Sequence, residues 1–392
     1  MTEGTDEHVV HEAVGPPMTA LEAAGAIGVG VNSLMVVGVF PVVLGALADE
    51  HRLTNPDIGL VATVEVLTMG VCTALVGMLL KPRRLKPIGI LATLLLAAAN
   101  LATAQAAGMG VYVLRGLAGV CEGVLLWITV AMIARTLTPE RWAGVFFTAQ
   151  TFAQLLLAVA YALWIMPAYG ATGAFVALAI CAAVGVAPAM VGPSRLADLN
   201  PGEAIAGPPP LRGWIALAGT FIYVGGSGAV GVYLEPLAHQ AGLDANVART
   251  ALWVSLVAQV AGGAAATALA GRVRWFVVFL AASVTYLAVW WLFGLKIPAW
   301  LFVSANAAAG LMGLFLGPFI VPMTIEADPS RRAAVQSGAA QLIGGAMGPL
   351  LASMVVSDRD VHGVLWLGAA LMLAGLASVG WLHFTHRRAN PA

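Results

Sequence analysis

The sequence predicts an all-α membrane protein of about twelve transmembrane helices arranged as two six-helix bundles. Three observations lead there. Of the 392 residues, 60% are hydrophobic and 10% charged, and the mean hydropathy is +0.90, far from the composition of a soluble domain. The apolar residues fall in runs of about 20, the length that crosses the hydrocarbon core as a helix; spanning strands would instead alternate apolar and polar residues over about ten positions. Finally, the two halves match at an offset of 190 to 194 residues, which marks a duplicated unit.

The elements follow in order when the chain is cut at charged or Pro/Gly-rich breaks. Residues 1–19 are acidic, lack Lys and Arg and hold no apolar core, so they read as a tail rather than a secretory signal. His8 and His11 lie in it. Spans 1 to 6 are expected at 20–48, 56–80, 87–107, 110–134, 143–166 and 171–191. Residues 193–212 are polar with five prolines and read as a linker. Spans 7 to 12 follow at 213–236, 245–270, 275–294, 298–325, 333–356 and 363–384. The expected domains are therefore a bundle at 20–192, the linker at 193–212, a second bundle at 213–386 and a short tail at 387–392.

Charge placement orients the chain. Fourteen of the 19 Lys and Arg, Lys86 and Arg141 among them, fall on the side of the N-terminus, against Arg52, Arg249, Lys296 and Arg359 opposite. Basic loops stay in the cytoplasm, so both termini are expected there, in the inner (cytoplasmic) membrane of a bacterium. His51, His239 and His362 then lie at the outer face as solvated histidines. A formal net charge of zero argues against a nucleic-acid partner; the expected partners are the lipid bilayer, protons and a small solute, with the chain a monomer. Cys72, Cys121 and Cys181 fall singly in separate apolar runs, which fits buried small hydrophobes and neither a disulfide framework nor a zinc site. No metal or cofactor is expected, and no clustered nucleophile, base or ligand set points to an enzyme.

The stretch YVLRGLAGVCEGVLLWITV at 112–130 places Arg115 and Glu122 in an apolar run, seven residues apart and so on one helical face. Gly116, Gly119 and Gly123 lie on or beside that face, where they let another helix approach. At an offset of 194 these glycines become Gly310, Gly313 and Gly317, while Arg115 becomes Ala309, Glu122 becomes Leu316 and Glu65, deep in span 2, becomes Gln259. Other repeats agree: TALVG at 73–77 returns as TALAG at 267–271, and VGVF at 37–40 as VGVY at 230–233. The glycines recur because both halves pack alike; the charges do not recur. Three unpaired intramembrane charges would cost roughly 8 to 10 kcal/mol, so they must be paired, hydrated or protonated. A structural ion pair is one reading. The other is that Glu122 or Glu65 exchanges a proton, since burial disfavours a charged carboxylate and a guanidinium beside it favours one.

Six plus six helices, a central linker and parallel repeats resemble the major facilitator superfamily over nearly the whole chain. Arg115-Gly-Leu-Ala-Gly119 with Gly123 resembles the family's helix 4 motif, whose arginine is associated with proton coupling. The loop GMLLKPRRLK at 77–86 meets the family's Gly-x-x-x-Asp-Arg-x-Gly-Arg-Arg pattern only in part, with Lys81 in place of the acid and Arg84 in place of the second glycine. Span 5 lacks the Gly-Pro-rich motif of proton-coupled drug antiporters. The resemblance implies secondary active transport by alternating access, with a cavity near the midplane. Residues expected to reach the solute there are Asn32, Trp127, Gln150, Gln154, Tyr223, Gln259, Asn306 and Gln341, and those expected to carry the proton are Arg115, Glu122 and Glu65. Because no Lys or Arg lies deep in spans 7 to 12, a doubly charged phosphate ester is disfavoured, leaving a neutral or singly charged organic solute. Symport and antiport stay open, as do drug or metabolite efflux, a lipid flippase and a transporter-like sensor.

Overall fold

The computed structural model describes residues 9–10, 18–53, 55–197, 208–357 and 360–389. His8 and His11, most of the tail, positions 198–207 of the linker, Arg359 and the last three residues lie outside it, as do the side chains of Arg249, Arg387 and Arg388.

The first span is helix α1 (Ala20–Ser33), a 3-10 turn (Val37–Val39) and α2 (Phe40–Asp49). A capping box opens it: Glu22 N–H donates to the Thr19 hydroxyl while the Glu22 carboxylate accepts from Thr19 N–H. The expected single helix over 20–48 is therefore interrupted. The break frees backbone carbonyls, and the Gln154 amide donates to one of them, that of Leu34. Then come α3 (Asn55–Leu79), α4 (Leu85–Thr103), α5 (Met109–Ile133) and α6 (Pro139–Ala160), which starts on a proline suited to the first helical turn. After a π-helical turn (Tyr161–Ile165) follow α7 (Met166–Val184) and α8 (Val186–Val191).

The second half repeats the plan with α9 (Leu211–Val232), α10 (Leu234–Gln240), α11 (Ala245–Leu269) and α12 (Trp275–Phe293). It ends with α13 (Ala299–Leu316), a 3-10 turn (Gly317–Phe319), α14 (Ile320–Ala327), α15 (Arg332–Ala352) and α16 (Gly363–Ala389). Span 7 breaks between α9 and α10, and span 10 breaks at Gly317-Pro318, where proline removes a backbone donor from the ladder.

Ten helical stretches among the described residues are long and apolar enough to cross a membrane. One of them, Pro139–Val191, runs 53 residues and is two crossings, because Gly170 (φ +56°, ψ −152°) leaves the helical region in its middle. α15, a further helix of 21 residues, is not one of these ten. Its glycines, Gln336 and Gln341 dilute its hydropathy, and half of it is buried among its neighbours.

Two compact units result: 1–139 with 153–207, and 140–152 with 208–392. Within the first, α3 and α4 pack on α5, α1 packs on α8, and α4 on α7; within the second, α11 and α12 pack on α13, α9 on α16, and α12 on α16. The pairings correspond span for span. So do two helix caps: Glu50 accepts from Ala171 N–H at 2.8 Å and Gln240 accepts from Val361 N–H at 3.1 Å, both positions being 190 apart.

Candidate functional site

The site is built on α3, α4 and α5 of the first unit. Two glycines of α5 set its geometry, because a Cβ at Gly119 would collide with the Glu65 carbonyl and the Thr68 hydroxyl, and one at Gly123 would press on the Met69 carbonyl. Only without those side chains does α3 come close enough to place Glu65 beside Arg115.

Arg115 is wholly buried. Its Nη1 donates to Glu65 Oε1 at 2.9 Å, and both side chains are fully shielded from solvent. Its Nη2 donates to Asn100 Oδ1 at 2.7 Å and to the Thr103 hydroxyl at 3.2 Å. The Phe175 ring of α7 lies 5.2 Å from the guanidinium carbon, a cation–π contact. Glu122 is 2% exposed, and its carboxyl neighbours that of Glu65. Two carboxylates cannot bond to each other; a bond between them requires a proton on one. Glu65 Oε2, Glu122 Oε2 and Arg115 Nε have no hydrogen-bond partner among the described residues. Two acids and one guanidinium leave one negative charge in excess, which a single proton balances.

Asn100 and Thr103 escaped the sequence reading. A signal was present, since an asparagine within the apolar run LLLAAANLAT needs a partner in a membrane.

The residues expected at the solute do not gather at this cluster. Trp127 and Tyr223 are each 1% exposed, and the Tyr223 hydroxyl shares a 3.0 Å bond with Ser283 while its ring meets Phe279 edge-on. Gln154 serves the Leu34 carbonyl, and Asn306 donates to the Ala251 carbonyl at 3.0 Å, tying α13 to α11. Asn32 reaches the Ala182 carbonyl at 3.5 Å, Gln259 the Ser255 hydroxyl at 3.5 Å, and Gln341 the Ser337 carbonyl of its own helix at 3.3 Å. The Gln150 Oε1 atom is buried and has no partner among the described residues.

The family model of the Major Facilitator Superfamily matches residues 25–347. The chain belongs to this superfamily. It is therefore a multi-pass membrane protein of a transporter family, not an enzyme family. Solved superfamily structures share the fold: FucP in the outward conformation at 15% identity and TM-score 0.72, covering 93% of this chain and 98% of that one; the human organic anion transporter MFSD10 at 13% and 0.69, covering 92% and 100%; and the proton:xylose symporter XylE, bound to 6-bromo-6-deoxy-D-glucose, at 13% and 0.64, covering 91% and 93%. No curated protein matches the chain in sequence. Against the superfamily's loop pattern, Arg84 stands where a glycine is usual, and its backbone has the left-handed φ of +57° that glycine adopts without strain.

Proposed function

We propose that the protein is a proton-coupled secondary transporter of a small organic solute, neutral or singly charged, and that the Arg115–Glu65–Glu122 cluster holds the coupling proton. One observation carries the reading: two buried carboxyls neighbour each other and one of them, Glu65, is paired with a buried guanidinium, an arrangement that binds one proton and is sensitive to small movements of α3 against α5. Movement of Arg115 away from Glu65 removes the cation that favours the ionised acid and retains the proton; its return releases it. Coupling needs a proton load that differs between conformations, and this cluster supplies one. The naming of XylE as a proton symporter agrees with it. Among the candidate solute contacts Gln150 is favoured, because its buried carbonyl oxygen still lacks a donor. Cytoplasmic termini and an inner-membrane location follow from the charge asymmetry of the loops.

The test starts with a thermal-shift screen of sugars, organic acids and amines, since a ligand of the native state raises its apparent stability. Sealed proteoliposomes then report internal pH as the selected solute is added, alongside counterflow of the labelled solute. Glu65→Gln and Glu122→Gln should abolish solute-driven proton movement and spare counterflow, because an amide keeps the size and cannot titrate. Proton movement at the wild-type rate in both variants would place the coupling site elsewhere. Gln150→Ala should weaken solute binding with little effect on unfolding.

A further inference from the structure

A cavity of about 350 Å³ opens at the end of the second unit where α6 and α12 begin and α14 and α16 finish, a volume within the range of small-molecule sites. All the residues lining it belong to that unit. Glu140 is among them, because residues 140–152 of α6 pack there while the rest of α6 belongs to the first unit.

Two carboxylates reach the cavity from different elements. Glu326, in the last turn of α14, accepts from the Trp275 indole N–H at 2.6 Å through Oε2, which fixes the carboxylate and leaves Oε1 to accept from elsewhere. Glu140, in the first turn of α6, stretches toward the turn between α11 and α12, its Oε1 lying 3.9 Å from where a Cβ on Gly271 would stand. Neither acid is in an ion pair among the described residues, although Arg274 lines the same cavity. Much of the remaining wall is aromatic. Trp275, Phe276 and Phe319 line it, and the His383 ring is stacked on Phe276 with centroids 4.2 Å apart. The duplicated plan does not require these groups, since at the offset of 190 Glu140 corresponds to Ser330, Glu326 to Thr136 and Trp275 to Leu85.

We propose that this cavity is a binding site for a monovalent organic ammonium ion. Its ammonium group donates to Glu326 and Glu140, in charge-assisted hydrogen bonds, and its apolar body lies on the Trp275, Phe276 and Phe319 rings, whose faces also attract a cation. With His383 neutral, two carboxylates and one guanidinium leave one negative charge for the ligand to balance. Because the ligand touches α6 as well as α12 and α14, it ties the start of α6 to the second unit. The site lies apart from the Arg115–Glu65–Glu122 cluster and does not depend on the transport reading.

The experiment titrates the full chain, purified in nonionic detergent, with phenethylammonium, phenethyl alcohol and phenylacetate, which share an aromatic body and carry a positive, neutral or negative head. Calorimetry should show phenethylammonium binding about tenfold or more tightly than either of the others. Glu326→Gln should weaken it about tenfold without lowering the unfolding temperature, because the amide carbonyl still accepts from Trp275. Glu140→Gln should weaken it by a smaller factor, and Asp360→Asn, an exposed acid of the same unit, should have no effect. A free amine and the headgroup of an aminophospholipid share this chemistry, and phosphatidylglycerol nanodiscs with and without phosphatidylethanolamine separate them: binding that the lipid displaces assigns the ammonium to the headgroup, and binding it leaves unchanged assigns it to a free amine. Equal affinity for the cation and the alcohol overturns the proposal, as does phenethylammonium binding that Glu326→Gln leaves intact. So does binding that appears only in Arg387→Ala, which would mean that a guanidinium of α16 already takes the ligand's place.

Discussion

Helix α5 of the first unit and helix α13 of the second descend from one repeat and differ in what they carry. Gly116, Gly119 and Gly123 correspond to Gly310, Gly313 and Gly317, and in each unit a member of the set abuts the preceding helix of the pair: Gly119 meets Glu65 and Thr68 of α3, Gly310 meets Ser255 of α11. The packing was kept. The polar cluster was not, because at the same offset of 194 Arg115, Glu122, Asn100 and Thr103 become Ala309, Leu316, Gly294 and Ile297. Glu65 alone leaves a polar successor, Gln259. The loss of all the partners together fits a constellation in which a buried ion without its counterparts costs more than an apolar replacement. It also fits a division of labour in which only the first unit titrates.

The largest expected effect tests whether that cluster is a set of interdependent charges. Arg115→Ala should lower stability by about 3 to 5 kcal/mol, since it leaves buried acids without a cation, whereas Gln259→Ala should cost at most about 0.5 to 1.5 kcal/mol. Adding Glu65→Gln and Glu122→Gln to Arg115→Ala should recover part of the loss. Thermal unfolding in detergent, followed by tryptophan fluorescence, reads all of these. Equal losses for Arg115→Ala and Gln259→Ala would erase the energetic difference between the two units.

A smaller pair of effects tests the shared packing. Gly119→Ala and Gly310→Ala should each destabilise by about 1 to 3 kcal/mol, the usual cost of forcing a methyl group into a filled contact, by the same unfolding measurement. A loss confined to Gly119→Ala would mean that the contact belongs to the charge cluster rather than to the repeated architecture.

The smallest effect concerns the duplicated caps at the helix ends. Near the Gln240–Val361 cap, the Asp360 carboxyl accepts from the backbone N–H and the ring of His362, which holds its pKa below the ordinary aspartate value, the backbone bond being the larger cause. A carboxyl depressed in the folded state adds stability that is complete above its unfolded pKa and fades as pH falls through the folded one. Wild type should therefore lose slightly more stability than Asp360→Asn on acidification below the normal aspartate range. The group is fully exposed, so the two melting curves should be nearly parallel at neutral pH; an identical acid response in both proteins would remove Asp360 from the cap.

Composition and periodicity determined that the chain crosses the membrane repeatedly as helices, because apolar runs of spanning length leave no other way to satisfy the backbone. The repeat in the glycines indicated that two halves pack alike, and the missing charges at 309, 316 and 259 marked the first half as the one expected to carry the proton. Tertiary structure decided the rest. Sequence spacing put Arg115 and Glu122 on one face but could not choose between Glu65 and Glu122 as the partner of the arginine, since that depends on how closely α3 approaches α5. Nor could it assign Asn100 and Thr103 to the guanidinium, or separate Gln154, spent on the broken first span, from Gln150, whose carbonyl oxygen is still without a donor. Helix breaks at 34–36, 233 and 317–319 were equally hidden, because local propensity inside an apolar span is nearly uniform and the interruption depends on a neighbouring side chain or proline that meets the freed backbone. The opposition of Arg83 and Arg195, 112 residues apart in sequence, exists only once the fold has brought two loop ends into one backbone bridge.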